Sequence, residues 1–123
     1  MILPIGRKSP PCSRTWSTFV RGEVYRVTNP KGVGHEQRGR RYAVVVQSGD
    51  VPLSTWIVCP TSTSAQPSRF RPEVDFGAGA TLVLTDQIMV VDPQRLGEQV
   101  GSLGYAQMQA IDHALRLILG LDP

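Results

Sequence analysis

The sequence predicts a mainly β domain with one late helix (α+β): a small antiparallel barrel, or a strongly twisted sheet, capped by that helix. Short β-branched and aromatic runs recur between Gly, Pro, Asn and Ser punctuation through most of the chain. The apolar period then changes from two to 3.6 at Tyr105. At 123 residues the chain holds one core and falls short of two. The domain is placed at 19–123. Residues 1–18, interrupted by Pro4, Pro10 and Pro11 and lacking the apolar stretch of a signal peptide, read as a disordered tail.

Val24 to Val27 begins an alternating pattern suited to a half-buried first strand. Asn29-Pro30-Lys31-Gly32 ends it, because proline brings no ladder donor and glycine accepts turn dihedrals. Tyr42–Gln47 and Thr55–Cys59 read as two antiparallel core strands joined through Ser48–Pro52, with Pro60 ending the second. A polar loop follows over 61–72. Further short strands are expected at Glu73–Phe76, Thr81–Leu84, Gln87–Val91 and Glu98–Leu103. Met108, Ile111, Leu115 and Ile118/Leu119 then recur at helical spacing, and Gly120 stands where a left-handed C-cap belongs.

Charge is spread unevenly. Residues 1–60 carry nine Lys/Arg against three Asp/Glu, whereas 61–123 carry four against seven. An anionic partner would therefore bind the first half. Cys12 and Cys59 support neither a disulfide framework nor a thiolate metal site, and His35 and His113 are too far apart in sequence to form a ligand motif, so no metal and no cofactor are expected. A chain without a long apolar run has no predicted membrane span and is read as cytoplasmic.

The chemistry concentrates in Gly34–Tyr42. His35, Glu36, Gln37, Arg38, Arg40 and Arg41 fall within seven residues on a glycine-punctuated loop, and the run Ala43–Val46 that follows would anchor it. Three clustered guanidinium groups repel one another unless an anion sits among them, so a phosphate-handling site is expected. Arg41 is its best anchored member, directly before the core strand, with a fork that matches phosphate oxygens.

Arg21-Gly22-Glu23-Val24-Tyr25, Gly34-His35-Glu36-Gln37 with Gly39 and Arg41, Val44-Val45-Val46, Asp86-Gln87-Ile88, and the ending from Ile111-Asp112 through Leu119-Gly120-Leu121 together resemble the MazF/PemK/Kid family of toxin endoribonucleases, over about Arg21 to Leu121. The resemblance implies an SH3-like barrel of the PemK/CcdB type. It also implies a homodimer that cuts single-stranded RNA at short sequences without a metal and is silenced by a cognate antitoxin protein. By the same resemblance Arg41, Ser62 and His35 are the catalytic candidates, with Thr61 or Thr63 in place of Ser62 if the alignment slips by one. Either His35 or Glu36 would be the general base. Gln37, Arg38, Arg40, Thr61, Asp86 and Gln87, with Glu36, are the expected substrate contacts.

Two positions depart from the Kid-like pattern. Leu84 and Met89 stand where relatives have arginine, which shifts weight onto Arg41. Tyr42 replaces a usual proline and either stacks on a base or packs in the core. The competing function is a non-catalytic nucleic-acid-binding or gyrase-poisoning toxin on the same scaffold, which would have no use for Arg41, Ser62 and His35.

Overall fold

A computed structural model describes residues 19–28, 41–51 and 53–121. The expected tail at 1–18 and most of the Gly34–Tyr42 loop lie outside the described residues. Among those described, seven strands run as β1 (Glu23–Val27), β2 (Arg41–Val45), β3 (Trp56–Ser62), β4 (Glu73–Asp75), β5 (Ala80–Val83), β6 (Met89–Val91) and β7 (Leu96–Ser102), and α1 (Tyr105–Leu119) closes the domain. The sheet order is β4-β5-β3-β2-β1-β7, with β6 also on β3, and every pairing is antiparallel. The curled sheet and single terminal helix are the expected architecture.

The strand β3 is the hub, and it corrects one expectation. The ladder does not stop before Pro60 but continues to Ser62. Trp56–Val58 pair with β6, and Thr61 and Ser62 pair with β5, so one edge of β3 changes partner midway. Pro60 sits at that change. Its carbonyl accepts from the Leu84 backbone N–H at 2.9 Å. Because a strand residue directs its N–H and C=O toward the same edge, the donor that proline lacks belongs to the gap between β6 and β5, where no ladder acceptor awaits it.

The β1–β2–β3 ribbon buries both of its faces. Val24, Val44, Val46 and Cys59 pack on the inner face with Val74, Val83, Leu103 and Ile111 of α1. Tyr25, Ala43, Val45 and Val58 point the other way, into a second cluster with Phe19, Trp56 and Leu96. The rings of Phe19 and Tyr25 approach Trp56 at 4.8 and 5.5 Å between centroids. A continuous apolar run such as Ala43–Val46 fits a strand covered on both sides.

Two contacts curl the sheet and seat the helix. Gly101 of β7 lies so near the residue after β4 that a Cβ there would come within 2.9 Å of the Phe76 carbonyl oxygen, so only glycine lets the two ends of the sheet approach. Arg21 donates from Nε to the Val46 carbonyl at 2.8 Å and from Nη2 to Asp112 on α1 at 2.5 Å. The helix ends as its sequence indicates, with Gly120 left-handed at φ 68° and its N–H returned to the Arg116 and Leu117 carbonyls. Among the described residues no helix is long and apolar enough to cross a membrane.

Candidate active site

Alternation and register set Arg41 and Ser62 at one end of the same sheet face. The pairs Ala43↔Pro60, Val44↔Cys59 and Val45↔Val58 set the β2–β3 register; the ladder ends there, and beyond it Arg41 pairs onward with β1 while Ser62 pairs with β5. Both side chains belong to the outer face: Arg41 alternates with Ala43 and Val45, and Ser62 with Val58 and Pro60. The same row continues to Val27 on β1, which pairs with Arg41, and to Leu82 on β5, which pairs with Ser62. A guanidinium and a hydroxyl thus share the end of the outer face where the covered ribbon gives way to loops.

Arg41 is half-buried, and its Nε has no hydrogen-bond partner among the described residues. A buried guanidinium N–H without an acceptor is costly. An anionic oxygen from a ligand would satisfy it.

Ser62 Oγ accepts from the Ser64 backbone N–H at 3.1 Å, a local turn that sets the start of the β3–β4 loop. Its one other contact given among the described residues is with Ser64 Oγ at 3.5 Å, in which either hydroxyl can donate. Thr61, the alternative, points inward. It is buried, and its Oγ1 lies 3.4 Å from the Tyr42 carbonyl, which separates it from the Arg41 face. Thr63 is exposed one residue beyond the strand. Tyr42 also lies on the inner face, edge-on to Phe76 at 5.3 Å, so it packs.

Asp86 and Gln87 occupy the 3-10 turn Thr85–Gln87 that joins β5 to β6. Gln87 is exposed. Both Asp86 oxygens are already engaged: Arg71 Nε reaches Oδ1 at 3.0 Å and Nη2 reaches Oδ2 at 2.9 Å. Hydrogen bonding from Arg71 holds the Asp86 carboxyl below the usual carboxylate range, and the same bond raises Arg71. Arg71 is the residue that sequence reasoning missed. No local pattern marks it, because its partner is 15 residues away and only the β4–β5 hairpin brings them together.

Leu84 is buried and Met89 packs against the outer-face cluster, so both positions that replace an expected arginine serve the core. Burial pushes the Cys59 thiol up to about 12, which leaves it inert. His113 lies exposed on α1. His35, Glu36, Gln37, Arg38 and Arg40 fall outside the described residues. In the sequence they closely precede Arg41.

Comparison with known proteins matches residues 20–119 to the family described as PemK-like, MazF-like toxin of type II toxin-antitoxin system. A candidate toxin of Mycobacterium tuberculosis is 47% identical over 104 residues, covering 83% of this chain and 98% of its own length. Endoribonuclease EndoA of Bacillus subtilis is 30% identical over 109 residues, covering 82% and 94%. Among solved structures, a mycobacterial endoribonuclease in complex with its cognate antitoxin superposes with a TM-score of 0.70 at 21% identity, covering 86% of this chain and 99% of that one.

Proposed function

The chain belongs to the PemK-like, MazF-like toxin family of type II toxin–antitoxin systems, and from that premise we propose that it is a sequence-selective, metal-independent endoribonuclease cleaving single-stranded RNA. The single observation that carries the mechanistic reading is the placement of Arg41 and Ser62 at one end of the same sheet face, with an Arg41 Nε that finds no hydrogen-bond partner among the described residues.

RNA brings its own nucleophile. The ribose 2′-oxygen attacks the adjacent phosphorus, the bond from phosphorus to the 5′ oxygen breaks, and the products are a 2′,3′-cyclic phosphate and a 5′-hydroxyl. The 2′ proton must leave to a base and the departing 5′ oxygen must receive one. Arg41 stays protonated, so its role is to hold the phosphorane's growing charge through its two-pronged donor face. Ser62 donates its hydroxyl proton to a neighbouring phosphate oxygen. His35 or Glu36 carries the proton, and Gln37, Arg38, Arg40 and Gln87 bind the flanking nucleotides, the arginines by phosphate and the amides by base edges. Thr61, facing inward, supports the strand that carries Ser62.

The protein acts in the cytoplasm as a homodimer and is held inactive by a cognate antitoxin, as the mycobacterial neighbour solved with its antitoxin supports by fold. Incubated with RNA in excess EDTA, the purified protein is expected to leave 2′,3′-cyclic phosphate ends at a short repeated sequence. Intact RNA, or cleavage only after a divalent metal is added, counts against this reading.

A further inference from the structure

We propose that Arg71 and Asp86 are positioning residues for the cleavage site: their ion pair fixes the loop that Ser62 opens, and Asp86 acts through Arg71 instead of on the RNA. The inference rests on the endoribonuclease reading above and deepens it.

The β3–β4 loop leaves Ser62 as Thr63-Ser64-Ala65-Gln66-Pro67-Ser68-Arg69-Phe70, polar and mostly exposed, with little apolar burial to hold its shape. Its far end is tied down instead. Arg71 forks onto both Asp86 oxygens and spends Nη1 on the Gln66 carbonyl at 3.0 Å, so one side chain joins the middle of the loop to the Thr85–Gln87 turn. Thr85, wholly buried, donates Oγ1 to the Phe70 carbonyl at 2.5 Å as a second tie. Within the loop, Ser68 receives the Arg71 N–H on its carbonyl and the Phe70 N–H on its hydroxyl.

These ties close a circuit. The Thr85–Gln87 turn is itself referenced to β3, since Gln87 N–H reaches the Leu84 carbonyl and Leu84 N–H reaches the Pro60 carbonyl, two residues before Ser62. The loop's start and its tethered far end are therefore both referenced to β3. Removing either ion-pair partner opens the circuit at one place and frees the residues that follow Ser62. With each oxygen holding one Arg71 donor, the Asp86 carboxylate is turned toward the loop, and a base contact would have to share a group already committed to that pair.

The test uses the full chain and single-turnover cleavage of an RNA substrate in EDTA, with R71A, D86A, the double variant and R71K. A misplacement of the reacting groups predicts that each single alanine lowers kcat by roughly 10–100-fold with KM little changed. The double variant is expected to be no worse than either single, because both remove one device, and R71K recovers only part of the rate since it keeps charge without the fork. Losses that multiply, or a damaging D86A beside a neutral R71A, overturn the proposal and return Asp86 to direct RNA contact. Hydrogen exchange of the 64–70 amides supplies a readout that needs no activity. It is expected to quicken alike in R71A and D86A and to stay slow in R41A, and unchanged exchange in R71A overturns the clamp. A wild-type protein that leaves RNA intact overturns the reading beneath it, and exchange tells that failure from the clamp's own.

Discussion

The two faces of the β2–β3 ribbon are built from the same strands, yet they do different work. On the inner face Val44, Val46, Cys59, Thr61 and Tyr42 are covered by α1 and the β4–β5 hairpin. On the outer face the same strands begin in a cluster around Trp56 and end in Arg41 and Ser62, half-buried at the ribbon's open end. One residue of shift along β3 is the difference between a hydroxyl packed into the fold and one that stays partly exposed at the ribbon's end. Chemistry sits where a rigid strand loses its cover, so that packing fixes the side chain and leaves its polar end available.

The sharpest way to break this comparison is Arg41→Ala. It is expected to reduce cleavage about 10²–10³-fold while the thermal melt stays close to wild type, and a protein that unfolds instead would make Arg41 a core residue. A paired substitution sharpens it further. Ser62→Ala should lower kcat roughly tenfold with stability unchanged, whereas Thr61→Ala should cost about 1 kcal/mol in denaturant unfolding and leave the rate of the folded protein intact. The opposite assignment would follow if the two exchanged phenotypes.

The smallest effect concerns the inner face alone. Burial raises the Cys59 thiol from 9.0 to about 12, so the folded state holds a proton that the unfolded chain gives up earlier. That contribution is fully present below about pH 9 and is lost as pH rises toward 12. Wild type should therefore lose stability over that alkaline window more steeply than Cys59→Ala, and a thiol reagent should modify Cys59 only after unfolding. Rapid labelling in the native state would mean that the inner face is open.

The periodic parts of this fold were the legible ones. The 3.6 spacing from Met108 to Leu115 and the stop at Gly120 gave α1 its true extent, and the apolar run Ala43–Val46 marked a core strand, which the structure covers on both faces. Ile118 and Leu119, read as part of the same stripe, are instead exposed at the helix end, because the sheet beneath α1 does not extend so far. Pro60 looked like a terminator since a single sequence cannot say which edge of a strand lacks a partner. Arg41 was visible from its neighbours and its place before the strand. Its partnership with Ser62 came only from the family resemblance, because register depends on where the β2–β3 hairpin turns, and there Gln47 accepts from the Ile57 N–H and donates to the Val51 carbonyl. Arg71 and Asp86 were beyond reach for the same reason: their meeting is a product of topology.

The bond from Arg21 to Asp112 joins groups 91 residues apart, and β7 completes the sheet by pairing with β1. In kinetic terms, the first strand made waits for the last one. While the chain is being synthesised, β1 and the site strand β2 have neither their closing edge nor their helical cover until α1 has cleared the ribosome, so assembly of the Arg41 face is a late, all-or-none step.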